Sequence, residues 1–391
     1  MASLVAPAHA ADEAKKPRTG TASAPACKAW PLWQRFNQRF VQADGRVIDH
    51  STPRLHSTSE GQSYAMFFAL VAGDRDKFDL LWRWTINNLS AQDVAGQLPA
   101  WQWGQRDDGS WGVVDSNSAS DADLWFAYSL AEAGRLWGDD RYSKDAKILL
   151  DRIAAEEVVD LPGFGPMLLP GKTGFHLAPD KWRLNPSYLP MPVLRRLAQL
   201  APEGPWQAIA TNTMRMLDQS TPLGFAADWL VYQSSASGPG RFVNDAQTAD
   251  LGSYDAIRTY LWAGMTASKD PLRTPLLAHL GGIVRVLNNQ PLPPEKVQIR
   301  NASLSGSGPV GFSAALLPYL SALDKTALLQ AQRDRVKHEL LENAGEAKAT
   351  YYDFVLGLFG SGWDQKRYQF LPSGKLKLRL ETECPPTAAT R

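Results

Sequence analysis

Helical patterns recur along almost the whole chain and are separated only by short polar breaks. In several segments, such as 124–131, apolar residues stand at i, i+3, i+4 and i+7, and many segments end at a glycine. Strand signals are few: 225–242 and 297–304 are typical of short extended pieces or a hairpin, and 375–380 alternates weakly. About twelve helices are predicted, over residues 30–42, 59–73, 75–89, 119–137, 140–157, 187–200, 204–218, 253–267, 273–288, 311–323, 325–342 and 347–360.

The domain organisation follows from the absence of a linker. No stretch rich in Pro, Gly or Ser divides residues 30–380, and 391 residues are ample to bury one large core. We therefore expect an all-α fold of paired helices, with a few short strands in loops and a single domain over 27–384. Residues 385–391 would form a short tail. The pattern alone does not prove that the helix pairs close into a barrel.

Charge and hydropathy exclude two classes of partner. Lys and Arg number 41 against 40 for Asp and Glu, so the chain has no net positive field to hold a nucleic acid. The longest apolar stretch, 64–73, is about half of the ~20 residues that span a bilayer, so we expect a buried helix there and no membrane span. The six histidines are scattered, and no Cys/His cluster suggests a metal site.

The two ends of the chain suggest export. Ala8-His9-Ala10 is followed by a polar stretch, so residues 1–26 read as a signal remnant or as an Ala-rich disordered terminus. Cys27 and Cys384 flank the predicted domain, and they either form one disulfide or are two free thiols. A disulfide would favour a periplasmic or secreted protein.

Three carboxylates fall in the first turns of predicted helices: Glu60, Asp121 and Asp255. Each follows a serine that could cap its helix, at Ser57, Ser118 and Ser253. A single such acid most simply stabilises the helix dipole, by about 0.3–1 kcal/mol. The set of three, in a chain with 14 tryptophans, favours chemistry on sugars.

Hydrolysis of a glycosidic bond needs one carboxylic acid and one carboxylate. Arg258 stands three residues after Asp255 on the same helix, where it can hold Asp255 ionised as a base requires. Glu60 has the opposite need, because a general acid must stay protonated and a helix N-terminus favours the ionised form. Burial or the negative charge of Asp121 would have to overcome that effect.

Seven segments, in order, resemble glycoside hydrolase family 8: SEGQSYAMFFAL, LPAWQWG, DSNSASDADLWFAYSLAEAGRLW, NPSYLP, SYDAIR, GPVGFSAALLPYL and LFGSGWDQKRYQF. Within the family they most resemble the cellulases of bacterial cellulose synthase operons. The resemblance implies an (α/α)6 barrel, endo-cleavage of β-1,4-glucan with inversion, and no metal or organic cofactor. It also implies that Glu60 is the general acid, Asp255 the general base, and Asp121 the acid that hydrogen-bonds the distorted sugar. The expected partner is a cellulose chain, and a cellulose synthase or export complex is a further one.

Aromatic residues in loop-like segments are candidates to stack on sugar rings, with core packing as the alternative for each. We expect one of Trp101 and Trp103 to line a groove and the other to pack inward. Tyr254, beside Asp255, could orient the attacking water. The remaining candidates for substrate contact are Trp182, Tyr188 and Trp229. The tryptophans inside helix patterns are expected in the core: Trp82, Trp84, Trp125, Trp137 and Trp262.

Three other functions compete with a cellulase. One is dinucleotide binding, because residues 306–311 match GxGxxG before a helix, but no buried strand precedes them and Pro309 interrupts the loop. A noncatalytic glucan-binding protein of an export complex would keep the aromatic residues without needing both Glu60 and Asp255. An enzyme for chitosan, xylan or mixed-linkage glucan is the alternative within the same family.

Overall fold

The computed structural model describes residues 29–52, 54–342 and 349–379. A 3-10 turn lies at Pro186–Tyr188, and a π-helical stretch at Lys337–Glu342 continues the helix before it. The described residues form thirteen α-helices: α1 (Pro31–Phe40), α2 (Ser59–Ala72), α3 (Arg75–Leu89), α4 (Ser120–Trp137), α5 (Asp140–Glu156), α6 (Met191–Leu200), α7 (Trp206–Ser220), α8 (Ala256–Met265), α9 (Arg273–His279), α10 (Gly282–Leu287), α11 (Val310–Ala322), α12 (Thr326–Val336) and α13 (Tyr351–Asp364).

The helices form two concentric layers. The inner helices α2, α4, α6, α8, α11 and α13 pack side by side in this order. Phe68 of α2 meets Phe359 of α13 edge to face at 4.7 Å between ring centroids, which closes the ring. Outside them, α3 packs on α2, α5 on α4, α7 on α6, α9 on α8, α12 on α11 and α1 on α13. The expected all-α fold, an (α/α)6 barrel, is confirmed.

Hydrophobic patterning explains which helices lie inside. The inner helices α2 and α11 are apolar on nearly every side and buried along almost their whole length, as a helix enclosed by others must be. The outer helix α5 buries only one stripe, which includes Tyr142, Leu149 and Ile153. Glycine permits close contact of the inner helices, since a Cβ on Gly360 would lie 1.9 Å from the main-chain oxygen of Ala314.

The described residues form fourteen short strands, twelve in the loops between helices and two after α13, and all of them pair antiparallel. Two three-stranded sheets consist of β1 (Ser57–Thr58), β2 (Gln102–Gln105) and β3 (Trp111–Asp115), and of β10 (Leu251–Gly252), β11 (Lys296–Gln298) and β12 (Ser303–Ser305). The four-stranded sheet contains β6 (His176–Ala178), β7 (Lys181–Leu184), β8 (Leu230–Gln233) and β9 (Arg241–Asn244). The hairpins are β4 (Val158–Leu161) with β5 (Gly165–Leu168), and β13 (Tyr368–Phe370) with β14 (Leu376–Leu378).

Several predicted boundaries are corrected by the structure. The segment predicted as one helix over 273–288 is two helices, α9 and α10, and the helix predicted from 253 begins only at Ala256. The helix predicted from 187 starts with a 3-10 turn, and α6 begins at Met191, directly after Pro190, because proline suits the start of a helix and not its interior. None of the described helices combines the length and the apolar character needed to cross a membrane.

Four predictions concern parts of the chain outside the described residues. Cys27 and Cys384 both lie there, so their pairing stays a prediction. The same holds for the signal remnant at 1–26, the tail at 385–391 and the domain limits 27–384.

Candidate active site

The N-terminal ends of three inner helices meet at one end of the barrel. Glu60 lies in the first turn of α2, Asp121 in the first turn of α4, and Asp255 directly before α8. Tyr64 donates its hydroxyl hydrogen to Asp121 Oδ2 at 2.8 Å. Arg258 donates from Nη1 to that same oxygen at 2.9 Å and from Nη2 to Asp255 Oδ1 at 2.6 Å. We call these five residues the acid network.

The three serines predicted to cap the helices form other hydrogen bonds instead. Thr58 caps α2 by accepting from the main-chain N–H of Gly61 at 3.2 Å. The first turns of α4 and α8 receive no side-chain cap from the residue at their N-cap. The three serine hydroxyls have other partners: Arg46 for Ser57, Glu157 for Ser118, and the main-chain oxygen of Glu295 for Ser253. The predicted serine caps are therefore wrong.

Glu60 is held in its protonated form. Its side chain is partly buried, and burial together with the negative charge of Asp121 raises its pKa to about 8. Arg258 and the hydrogen bond from Trp101 Nε1 to Glu60 Oε1, 3.1 Å long, act in the opposite direction and are weaker. At neutral pH Glu60 is therefore mostly a carboxylic acid, in spite of its place at a helix N-terminus.

Asp121 and Tyr188 complete the centre of the site. Burial raises the pKa of Asp121, while Arg258 and Tyr64 stabilise its charged form and oppose that rise. Tyr188 ends the 3-10 turn before α6. Burial and the charges of all three carboxyls raise the pKa of its phenol well above the ordinary value, so Tyr188 lies among the acids as a neutral hydroxyl. The Arg258 guanidinium lies 5.5 Å from its ring centroid.

Trp101 and Trp103 occupy different surroundings. Trp101 precedes β2, is 38% exposed, and bonds to Glu60. Trp103 packs against Trp84 and Trp111, each at 5.5 Å between ring centroids, with the Arg46 guanidinium 4.4 Å from its own ring. Residues two apart on a regular strand share a face, so the separation depends on the irregularity that the β2–β3 pairing shows at Gln102/Trp103.

The other three aromatic candidates separate by exposure. Trp182 of β7 is buried and stacks on His176 at 5.0 Å, so it fits core packing, the alternative, and not a sugar contact. Trp229 is half-buried, and its ring centroid lies 6.1 Å from that of Tyr188, beside the acid network. Tyr254 is 43% exposed, and its hydroxyl points toward Glu295 at 3.5 Å. This orientation suits ring stacking, and the water-orienting position fits Tyr188 better.

The tryptophans expected in the core are there, with one only partly buried at its edge. The buried ones are Trp82, Trp84, Trp125 and Trp262, and Trp137 packs against the core from its rim.

The GxGxxG segment at 306–311 leads into α11, where the Gly311 N–H already donates to Asp353 Oδ1 at 2.8 Å. That helix start is therefore capped by the protein itself, which argues against the dinucleotide alternative.

Several residues of the site were not predicted from the sequence. Tyr64 stands four residues after Glu60 on α2, and this helical spacing was a usable signal. Asp228 accepts hydrogen bonds from the main-chain N–H groups of the turn that carries Asp255. The sequence contains no signal for this role, because the two segments meet only in the folded protein. Asp123 and Glu157 are two further buried carboxyls, close to each other and to Asp121. Within the described ranges no group of three or more His, Cys, Asp or Glu is arranged to hold a metal ion.

The Asp123–Glu157 pair makes stability depend on pH. Burial is the main cause that raises the pKa of Glu157 to about 8, far above about 4.3 in an unfolded chain. From about pH 5 to 8 the folded chain therefore holds a proton that the unfolded chain lacks, so the free energy of unfolding falls as pH rises. We predict that Glu157→Gln loses less stability than the parent protein between pH 5 and pH 8, measured by urea unfolding.

Asp151, on the same helix, provides a control for that measurement. It pairs with Lys147 at the exposed surface of α5, so Asp151→Asn should keep the parent protein's slope of stability against pH. An unchanged slope in Glu157→Gln would show that Glu157 does not hold the proton.

Comparison with known proteins agrees with this geometry. The model of glycosyl hydrolases family 8 matches residues 19–366. A protein named endoglucanase from Xanthomonas axonopodis pv. citri (strain 306) is 48% identical over 374 residues, which cover 96% of this chain and 95% of that protein. The crystal structure of endo-1,4-D-glucanase from Vibrio fischeri ES114 has a TM-score of 0.85 and 40% identity, covering 90% of this chain and 100% of that one. A cold-adapted family 8 xylanase, at 17% identity and a TM-score of 0.63 over 85% of this chain and 90% of its own, shares the fold alone.

Proposed function

This chain belongs to glycosyl hydrolases family 8, and from that premise we propose that it is an endo-acting β-1,4-glucanase, a cellulase that inverts the anomeric centre. Relatives named endoglucanase at 42–48% identity over more than nine-tenths of the chain support this substrate class. The single observation that carries the proposal is the different surroundings of two acids. Glu60 keeps its proton at neutral pH, while Asp255 accepts a charge-assisted hydrogen bond from Arg258.

Each member of the site then has a chemical task. Glu60 donates its proton to the oxygen of the leaving sugar, and Asp255 accepts a proton from the water that attacks the anomeric carbon. Arg258 fixes Asp255 and Asp121 relative to each other, since it bonds to both. The second oxygen of Asp121 accepts from the Ala122 N–H, and this carboxyl is the group proposed to bind the distorted sugar. Tyr188, among the acids, is placed to hold the water.

The choice of polysaccharide is tested by one comparison. Reducing ends released from soluble carboxymethylcellulose should exceed those from chitosan and from xylan under the same conditions. Preference for chitosan or xylan would replace the cellulase by another family 8 activity, and no release from any of them would favour a noncatalytic glucan-binding protein. A steep fall in carboxymethylcellulose viscosity before reducing ends accumulate would show internal cleavage, whereas constant viscosity would indicate cleavage from chain ends.

The tryptophans of the β1–β3 sheet predict a preference for long substrates. Trp101 lies at Glu60, while Trp103 and the 47% exposed Trp111 lie further along the hairpin, where only a longer glucan reaches. We expect kcat/KM to rise steeply from cellotriose to cellopentaose. Trp103→Ala should lower kcat/KM for cellohexaose by roughly 10-fold, or about 1.4 kcal/mol, and change cellotriose much less.

Two further variants complete this test. Trp111→Ala removes an exposed ring without opening the core and should reproduce the length-dependent loss, and Trp101→Ala should weaken short and long substrates alike. Equal losses on both substrates in Trp103→Ala would remove that ring from the proposed groove.

We also propose a periplasmic location and a link to cellulose synthesis and secretion. The support is in the sequence: the Ala8-His9-Ala10 segment, the cysteines at 27 and 384, and the resemblance to cellulases of cellulose synthase operons. Cell fractionation tests the location, and co-purification with a membrane fraction that makes cellulose tests the association. Recovery in the cytosol with both thiols reduced would contradict the location.

A further inference from the structure

Asp255 stands at the N-cap of α8, yet its side chain does not cap that helix. The capping acceptor comes from another segment. Asp228 Oδ1 accepts from the main-chain N–H of Ser253 at 2.7 Å and from that of Ala256 at 2.8 Å. The Asp228 main-chain N–H in turn donates to the oxygen of Leu251 at 2.8 Å. A helix start needs such acceptors, because its first N–H groups have no partner within the helix.

We propose that Asp228 is a positioning residue for Asp255. By accepting the hydrogen bonds that an N-cap side chain would normally accept, it leaves the Asp255 carboxylate free for Arg258 and the attacking water. The inference rests on the proposed function, because it assigns Asp228 a task only if Asp255 is the base. Asp228 is 7% exposed, so substrate does not reach it and its effect passes through the turn at 253–256.

Two more tethers hold the same turn. Tyr352 donates its hydroxyl hydrogen to the main-chain oxygen of Tyr254 at 2.6 Å, and Ser253 Oγ donates to the main-chain oxygen of Glu295 at 2.8 Å. Fixing a reacting group within a fraction of an ångström is worth large factors in rate, and a displacement of about 1 Å can cost about 100-fold. A turn held from three sides is consistent with that demand.

The charge at Asp228 opposes the stability of the fold. Burial and the nearby negative charge of Asp255 raise the pKa of Asp228 to about 6, so two acids are kept close together at a cost. Tyr352 of α13 also lies close to the charge of Asp228, and burial raises the pKa of its phenol well above the ordinary value, so that it stays neutral. The two main-chain hydrogen bonds that Asp228 accepts hold the turn of Asp255 in spite of that cost.

The experiment compares three substitutions at this residue. Asp228→Ala removes the acceptor and should lower kcat by about 100-fold with KM changed less than about 3-fold. Asp228→Asn keeps an oxygen at the same place and should restore kcat to within about 5-fold of the parent protein. Asp228→Glu keeps the charge but displaces the oxygen, so its kcat should fall well below that of Asp228→Asn. If the alanine variant does not fold, the comparison of the other two still decides.

Asp74→Ala is the control for loss of a helix cap. Asp74 caps the outer helix α3, at the end of the barrel away from Glu60, by accepting from the Lys77 N–H at 3.1 Å. Its removal should lower the Tm and leave kcat unchanged. A kcat in Asp228→Ala within about 3-fold of the parent protein, or equal losses in the alanine and asparagine variants, would overturn the inference.

Amide hydrogen exchange separates this inference from the proposed function. The Ser253 and Ala256 amides should exchange faster in Asp228→Ala than in Asp228→Asn, whether or not the protein cleaves glucan. Unchanged exchange at both amides would refute the tether by itself. If the two amides exchange as expected but the parent protein has no glucanase activity, the proposed function is contradicted and the hydrogen bonds to Asp228 are not.

Discussion

Glu60→Gln is expected to lower kcat on β-1,4-glucan by roughly 10³-fold, because the variant has no proton to give to the leaving sugar. The substitution changes one protonatable group and little volume, so Trp101 can still donate to the oxygen of the amide. The fold should be retained. Removal of a partly buried acid whose pKa is raised to about 8 should also weaken the loss of stability toward alkaline pH.

Leaving-group chemistry supplies the control for this variant. Dinitrophenyl β-cellobioside has a leaving group that needs no proton, so Glu60→Gln should hydrolyse it far better, relative to the parent protein, than it hydrolyses glucan. In the parent protein kcat/KM should fall as pH rises through about 8, since Glu60 must be protonated, and the residual activity of the variant should lack this decline. Near-normal turnover of cellopentaose by folded Glu60→Gln would end the assignment of the general acid.

The architecture was predictable because each layer of the barrel has its own hydrophobic pattern. Inner helices such as α2 are apolar on nearly every side, whereas outer helices such as α5 are apolar on one side only, with a period of 3.6 residues. The closing of the ring was not predictable, because it depends on contacts such as Phe68 with Phe359, which are almost 300 residues apart in the chain. The short strands around the site were mostly missed, because pieces of two to five residues carry too little alternation.

The acids of the site were found from local signals, and their surroundings were not. Glu60, Asp121 and Asp255 stand at helix starts, and that position is readable from sequence. Which groups satisfy those helix starts is a tertiary matter, so the serine caps were wrong and Asp228 was missed. The rise in the pKa of Glu60 likewise depends on its burial by distant segments, which local sequence does not report.

Asp255→Asn should lower kcat by roughly 10²- to 10⁴-fold, because the amide cannot accept the proton of the attacking water. In contrast to Glu60→Gln, the loss should be the same on glucan and on dinitrophenyl β-cellobioside. A better leaving group removes the need for an acid, but the water must still be activated by a base. Asp250→Asn is the matched control, since this residue lies five positions earlier and its carboxyl accepts from the exposed main-chain N–H of Arg300 at 3.3 Å, away from Arg258. It should keep nearly full activity.

The stereochemistry of the product tests the role of Asp255 independently of rate. A base that activates water on the face opposite to the leaving sugar gives the α-anomer first from a β-linked glucan, and the two carboxyls should stand about 6.5–9.5 Å apart to admit that water. NMR of the first minutes of cellopentaose hydrolysis distinguishes the anomers. If the β-anomer formed first, Asp255 would act as a nucleophile that bonds to the sugar. Arg258, bonded to both Asp255 and Asp121, would then stabilise a leaving carboxylate instead of orienting a base.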